Sequence, residues 1–210
     1  LLNLKPTYYI PNRINDGYGA NLKTIKKIIK KKPDLIIMLD CGSNSVETID
    51  FLNSINIKSI IIDHHEIYKP YPKTNNLINP KKNCDYNEYD YFCSAALTYF
   101  FIDLYIKKTK SNIDFKFYLT YVLIATVCDV MPLRKINRLI AIKVLKSFNI
   151  KNYYVLNKIF ELKEIKRPLT IEDFGYLIGP ILNSAGRLKD PNIVVELIIN
   201  ENKKIKEKII

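Results

Sequence analysis

Acidic and imidazole side chains follow two apolar runs in the first third of the chain. Asp40 comes directly after the first run, and Asp63, His64 and His65 come directly after the second. The two histidines are the only ones in the 210-residue sequence. Carboxylate and neutral imidazole groups are ligands of divalent transition metals. Adjacent residues of an extended segment point in opposite directions, so one His can bind a metal while its neighbour faces a substrate.

A third carboxylate, Asp129, lies near the end of the longest apolar stretch, residues 122–130. An ionised carboxylate in such surroundings is costly unless it is paired or bound to a metal, and a helix end also places it at the negative end of the dipole. Asp40, His64 and Asp129 together predict a site for Mn²⁺ or Mg²⁺ that supports metal-assisted phosphoryl hydrolysis. The alternatives are a helix cap or turn for Asp40 and Asp63, an exposed position in the last turn of a helix for Asp129, and a surface pair for the histidines.

Strand and helix patterns place these residues at the edge of a parallel sheet. Residues 35–39 and 59–62 are short apolar runs typical of strands buried on both faces, and residues 45–55 have helical spacing. This order is typical of a βαβ unit, and such sheets bind ligands outside the carboxyl ends of their strands. The predicted fold is α/β: a parallel sheet with flanking helices, followed by a mostly helical part of the same domain.

The other segments contain a β-prone run at 8–10, a helix at 21–31 and a long loop at 66–91. A break is expected at Gly179-Pro180, and Pro191 is expected to start a last helix that continues to Ile210. Further helices are predicted over residues 92–107, 115–130, 137–148, 153–162 and 171–178.

The composition excludes several classes of protein. Apolar residues make up 48% and charged residues 26% of the chain, which is typical of a globular protein and not of a disordered one. No run of about 18 apolar residues is present, so no membrane span is expected. The four cysteines form no Cys-x-x-Cys pair and no secretory signal is seen, which favours reduced thiols in a cytoplasmic protein.

The net charge of +12 is consistent with a polyanionic partner such as nucleic acid. A second explanation stays open, because only five of the 33 basic residues are Arg. An AT-rich genome would produce the same excess of Lys together with the many Ile, Asn and Tyr residues. Charge by itself therefore does not establish nucleic-acid binding.

Five ordered segments together resemble the DHH phosphoesterase superfamily, and in particular its branch of single-stranded-DNA-specific exonucleases. These segments are residues 10–13 with 17–21, 39–42, 62–65, 126–133 and 178–188. The resemblance implies hydrolysis of phosphodiesters from the 5′ end of single-stranded DNA, in recombination and repair. It also implies two ions of Mn²⁺ or Mg²⁺, a monomer, and in-line attack on the phosphorus.

The same resemblance implies roles for individual residues. Asp40 would bridge two metal ions, and His64 and Asp129 would complete one of the two sites. His65 would contact the scissile phosphate, with Asp63 as the second catalytic residue. The residues implied in phosphate and DNA contacts are Arg13, Asn183, Ser184 and Arg187.

One motif of the family is not found in this sequence. An Asp-x-Asp segment that supplies most of the other metal site is expected upstream of Tyr8, and residues 1–7 contain no Asp. Residues 1–190 are accordingly expected to be the catalytic domain without its first strand and motif, and residues 191–210 the start of a linker helix to a missing C-terminal domain. Two alternatives stay open: a DHH phosphodiesterase for short oligonucleotides or cyclic dinucleotides, and an inactive DHH-fold fragment.

Overall fold

The structure of the chain is a computed structural model. Its described residues are 6–12, 15–82, 88–188 and 192–199, with the backbone alone described for 185–188. Within these residues a three-stranded sheet has the order β1-β2-β3, and both pairings are parallel. The strands are β1 (Leu35–Leu39), β2 (Lys58–Ile62) and β3 (Leu77–Ile78).

The register of the strands brings their carboxyl ends to one edge of the sheet. Leu39 pairs with Ile62, and the next residue, Asp40, donates its backbone N–H to the Ile62 carbonyl over 2.9 Å. Asp63 in turn donates its N–H to the carbonyl of Ile78, over 3.0 Å. Three strand ends therefore lie side by side, and the polar residues that follow them meet in one place.

Helices α1 (Leu22–Ile28) and α2 (Val46–Ser54) pack against the sheet. Their side chains Ile25, Ile49 and Leu52 share a buried cluster with Met38 and Ile61 of the strands. Burying a side chain of this size stabilises a fold by about 1.5–3 kcal/mol. This cluster holds the βαβ unit together beneath the strand ends.

The second half of the chain is helical, as expected. Its centre is α4 (Leu119–Cys128), whose residues Val122, Leu123 and Ile124 are buried among the surrounding helices. Helix α3 (Ser94–Thr109) contacts β1, β2 and α4, and so joins the helical part to the sheet. The other helices are α5 (Lys135–Ser147), α6 (Tyr154–Leu162), α7 (Ile171–Asp173), α8 (Gly179–Leu188) and α9 (Asn192–Ile199).

The α/β class is confirmed, but three local predictions for the first half were wrong. The run at 8–10 forms no strand, and the predicted loop at 66–91 contains β3, whose two residues are too few to show a period. The strand β1 is not buried on both faces: Leu35, Ile37 and Leu39 are 43–50% exposed. Within the described residues β1 pairs only with β2, so its outward-facing side chains have no neighbouring strand beside them.

The break predicted at Gly179-Pro180 does not occur. Residues 174–178 form a π-helix that joins α7 to α8, and the Gly179 N–H donates to the Phe174 carbonyl five residues earlier. Pro180 is the second residue of α8 and, because it lacks an N–H, it donates no hydrogen bond back to the π-helix. The last helix starts at Asn192, and its predicted continuation over 200–210 lies outside the described residues. No described helix is long and apolar enough to cross a membrane.

Replacing Gly179 by Ala is expected to lower the free energy of unfolding by about 1–3 kcal/mol, the usual cost of overpacking. A Cβ at this position would overlap Cys128 Sγ and would lie 2.8 Å from the Phe174 carbonyl oxygen. Urea unfolding followed by circular dichroism measures the loss. Gly175→Ala is the milder comparison, because its Cβ would lie 3.3 Å from Val127 Cγ1 and that side chain would need to move by only a few tenths of an ångström. Equal stability of the two variants would contradict this packing.

Candidate metal centre and active site

The turn after β1 presents Asp40 at the edge of the sheet. Asp40 has a left-handed backbone, with φ 62°, which Asp tolerates better than most residues. Gly42 has φ 108°, and a Cβ there would lie 3.0 Å from Met38 Sδ and 3.2 Å from Ile61 Cγ2. The turn therefore packs closely on the strands, and it leads directly into α2.

The three predicted metal ligands meet around one imidazole nitrogen. His64 Nε2 lies 3.3 Å from Asp40 Oδ1 and 3.6 Å from Asp129 Oδ2. His64 is buried, whereas the two carboxylates are partly exposed. Asp40 comes from the end of β1, His64 from the end of β2 and Asp129 from the C-cap of α4, so three separate segments build the group.

His65 borders the same place but is held by a different carboxylate. Ligand atoms of Asp40, His64 and His65 lie within 4.8 Å of one another, and no other such group of three exists in the described residues. His65 Nδ1 lies 2.7 Å from Asp63 Oδ1. An ionised carboxylate can only accept hydrogen bonds, so Nδ1 of His65 carries the proton of this bond. In the neutral ring Nε2 is then the unprotonated nitrogen.

Asp63 is 2% exposed, and its charge is stabilised by hydrogen bonds. Its Oδ2 accepts from the Ser43 N–H at 3.0 Å, and its Oδ1 accepts from the His64 N–H at 2.8 Å. Burial alone would raise the pKa of Asp63, but the hydrogen bonds from His65 and Ser43 outweigh it and lower that pKa below its ordinary value. Asp63 therefore stays ionised and orients the His65 ring.

The charges of Asp40 and Asp129 act on His64, and that of Asp40 also acts on Asp129. The hydrogen bond to Asp40 is the main cause that raises the pKa of His64, against the effect of burial. The pKa of Asp129 is also raised, first by burial and then by the nearby Asp40 carboxylate. The Asp40 carboxylate thus disfavours the negative charge of Asp129, and a cation bound between them would relieve this.

The other ring nitrogen of His64 has no protein partner among the described residues. His64 Nδ1 is buried there and lacks a hydrogen bond. A metal-binding His commonly donates this second N–H to a carboxylate or a carbonyl, and a buried donor left unpaired costs about 1–3 kcal/mol. The orientation of the His64 ring thus depends on its Nε2 side.

The predicted phosphate contacts are described only in part. Arg13 lies outside the described residues, and for Arg187 only the backbone in α8 is described. Asn183 is exposed on α8, and Ser184 donates its hydroxyl to the Ile181 carbonyl over 2.7 Å. The hydroxyl of Ser184 is therefore engaged within its own helix.

Sequence reasoning missed one polar residue of this region, Asn79. Its side chain is 8% exposed and donates to Ser43 Oγ at 2.7 Å and to the His65 carbonyl at 2.9 Å. It follows β3, which was predicted to be part of a loop. The sequence did contain a signal for this residue. Leu77-Ile78 is a third, shorter apolar run, and a polar residue follows it directly, as one follows each of the first two strands.

The sequence profile described as "DHH family, N-terminal domain" matches residues 2–126. The chain belongs to the DHH family. Similar proteins include the single-stranded-DNA-specific exonuclease RecJ of Haemophilus influenzae, which is 30% identical over 95% of this chain. RecJ of Bacillus subtilis is 26% identical over 96% of this chain. The DHH chain spans 37% and 25%, respectively, of the lengths of these two relatives.

Two solved structures have the same fold as this DHH chain. A crystal structure of exonuclease RecJ bound to manganese superposes with a TM-score of 0.82 at 20% identity, covering 96% of this chain and 50% of the other. RecJ from Thermus thermophilus, in complex with Mn²⁺, gives a TM-score of 0.76 at 18% identity, covering 89% of this chain and 28% of the other. The sheet with its helical second half is thus the DHH fold.

In the metal-free chain, His64 is expected to titrate above the ordinary imidazole pKa of ~6.5, because Asp40 stabilises its charged form. Asp40→Asn should lower this pKa more than Asp129→Asn does, since Asp40 is closer. The interaction stabilises the fold below the ordinary pKa and is lost as the pH rises through the raised one. Proton NMR of the two histidines, after treatment with a chelator, measures it. An unchanged His64 pKa in Asp40→Asn would contradict the pairing.

Proposed function

We propose that this DHH chain carries the catalytic centre of a metal-dependent phosphodiesterase that removes nucleotides from the 5′ end of single-stranded DNA. The observation that supports it is the meeting of Asp40 and Asp129 at His64 Nε2, at 3.3 and 3.6 Å, beside an oriented His65. The group lies outside the carboxyl ends of parallel strands, where α/β folds bind their ligands.

Asp40, His64 and Asp129 would hold a divalent cation such as Mn²⁺ or Mg²⁺. The donor set fits, because it combines two carboxylates with one imidazole and the raised pKa of Asp129 reflects an unfavourable negative charge. When bound, such a cation activates water and neutralises phosphate oxygens. The second ion that the resemblance implies needs carboxylates beyond this group, since the one cluster of three ligand atoms within 4.8 Å in the described residues, that of Asp40, His64 and His65, shares two of its members.

His65 is the residue we assign to the phosphate. Asp63 holds the ring through Nδ1, so Nε2 is the nitrogen available to a substrate. In the protonated ring Nε2 donates a hydrogen bond to a phosphate oxygen, whereas in the neutral ring Nε2 can only accept, from a water or another donor. Asp63 therefore fixes which atom of His65 meets the substrate, and it does so from a buried position that substrate does not reach.

The choice of substrate is supported by the named relatives. The proteins of H. influenzae and B. subtilis are both named single-stranded-DNA-specific exonucleases, and the net charge of +12 suits a polyanion. The two solved neighbours hold manganese, which favours Mn²⁺ for this site. We also propose that residues 1–190 form the catalytic domain and that residues 191–210 begin a linker, as part of a longer repair and recombination enzyme.

Mn²⁺ binding tests the metal assignment directly. His64→Ala and Asp129→Asn should each weaken binding by at least ~10–100-fold, the cost found for residues that merely orient ligands. Binding should also weaken at low pH, because His64 must lose its proton first. Isothermal titration calorimetry of the chain measures both effects. Asp103→Asn is the control, because Asp103 pairs with Lys107 on the surface of α3. Equal affinities in all variants would refute the assignment.

Hydrolysis tests the reaction and the substrate. With Mn²⁺ present, a long 5′-phosphorylated single strand should be shortened from its 5′ end, and His64→Ala or Asp129→Ala should abolish turnover while the circular dichroism spectrum is unchanged. The longest natural form of the protein that contains this chain is the form to assay. Faster cleavage of dinucleotides would favour the alternative DHH phosphodiesterase. Normal turnover in either variant would remove that residue from the mechanism.

A further inference from the structure

Asn79 has every polar atom of its side-chain amide engaged near the active site. One N–H of Nδ2 donates to Ser43 Oγ at 2.7 Å and the other to the His65 carbonyl at 2.9 Å. The Oδ1 atom accepts from the Lys81 N–H at 2.8 Å. The orientation of the amide is therefore fixed, because only Nδ2 can donate to the two oxygens and only Oδ1 can accept from Lys81.

These bonds reach His65 by two routes. The first is direct, because Asn79 holds the main chain of His65 at its carbonyl. The second runs through Ser43, which is 1% exposed and whose backbone N–H binds Asp63 Oδ2 at 3.0 Å. Asp63 Oδ1 in turn binds the His65 ring at Nδ1, over 2.7 Å. One amide thus supports both the main chain and the ring of the same histidine.

We propose that Asn79 is a positioning residue for His65: it fixes the His65 carbonyl directly and, through Ser43 and Asp63, the tautomer and orientation of the ring. The effect on catalysis rests on the proposed function, whereas the effect on the ring does not. Asn79 itself is buried and acts only through its neighbours.

The chemistry of the site requires an amide at this position. Asp has the same shape as Asn, but its second oxygen would face the His65 carbonyl as an acceptor against an acceptor. Ala would leave the Ser43 hydroxyl and the His65 carbonyl without their donor. A misaligned phosphate contact lowers the rate of the chemical step, so Asn79→Asp and Asn79→Ala should lower kcat about 10–100-fold. KM should change less than about threefold, because Asn79 does not touch the substrate.

The experiment compares Asn79→Asp and Asn79→Ala with Asn76→Ala. Asn76 lies at the other end of β3, away from the site, and donates to the Ser59 carbonyl over 3.1 Å. Long-range proton–nitrogen NMR of the metal-free chain, at a pH where the spectrum shows neutral rings, reports which ring nitrogen of His65 carries the proton. With only two histidines in the chain, the spectrum is simple to assign. Steady-state kinetics supply kcat and KM.

The expected result is a protonated Nδ1 in the wild type and in Asn76→Ala, and a mixture of tautomers with reduced kcat in the Asn79 variants. Wild-type tautomer and kcat in a folded Asn79 variant would overturn the proposal. Ser43→Ala supplies a second variant if the others do not fold: a wild-type His65 spectrum there would exclude the route through Ser43. If the wild type lacks activity while the Asn79 variants still change the ring, the positioning role stands and the proposed function fails.

Discussion

The carboxylate of Asp63 is buried at the carboxyl end of β2, where it must receive hydrogen bonds to remain charged. Its donors are the main chains of Ser43, His64 and His65 and the ring of His65. They belong to two different loops, one after each of the first two strands. The hydrogen bonds to this one buried charge therefore hold the two loops together, and they set the positions of both histidines.

The adjacent histidines illustrate how environment separates two identical side chains. His64 faces Asp40 and Asp129, which are partly exposed and which we assign to a cation. His65 faces the buried Asp63, which leaves its other ring nitrogen for the substrate. The two rings are 4.7 Å apart between centroids. In the proposed function one therefore serves the metal and the other the phosphate within the same small volume.

The helical half contributes Asp129 by ending α4 at the right place. Val130 has a left-handed backbone with φ 56°, which is unfavourable for a β-branched residue, and it is 88% exposed. The N–H of Met131 returns to the Thr126 carbonyl at 3.0 Å and closes the helix end. Gly179 allows the π-helix and α8 to pack on Cys128, directly before Asp129. Packing in the helical core thus sets the position of a carboxylate that meets the sheet.

The amino-acid sequence by itself determined the βαβ unit, the helices of the second half and the choice of Asp40, His64 and Asp129 as candidate ligands, because apolar periodicity and the residue types that follow each apolar run are local properties. Only the tertiary structure decided that the carboxylates of Asp40 and Asp129 meet at His64 Nε2, since the distances between these atoms depend on strand register and on how α4 packs. It also decided the contacts of Asn79. A two-residue strand has no period to detect, and a hydrogen bond to Ser43 joins residues far apart in the chain. The π-helix at 174–178 was equally hidden, because it depends on the fit of Gly179 against Cys128.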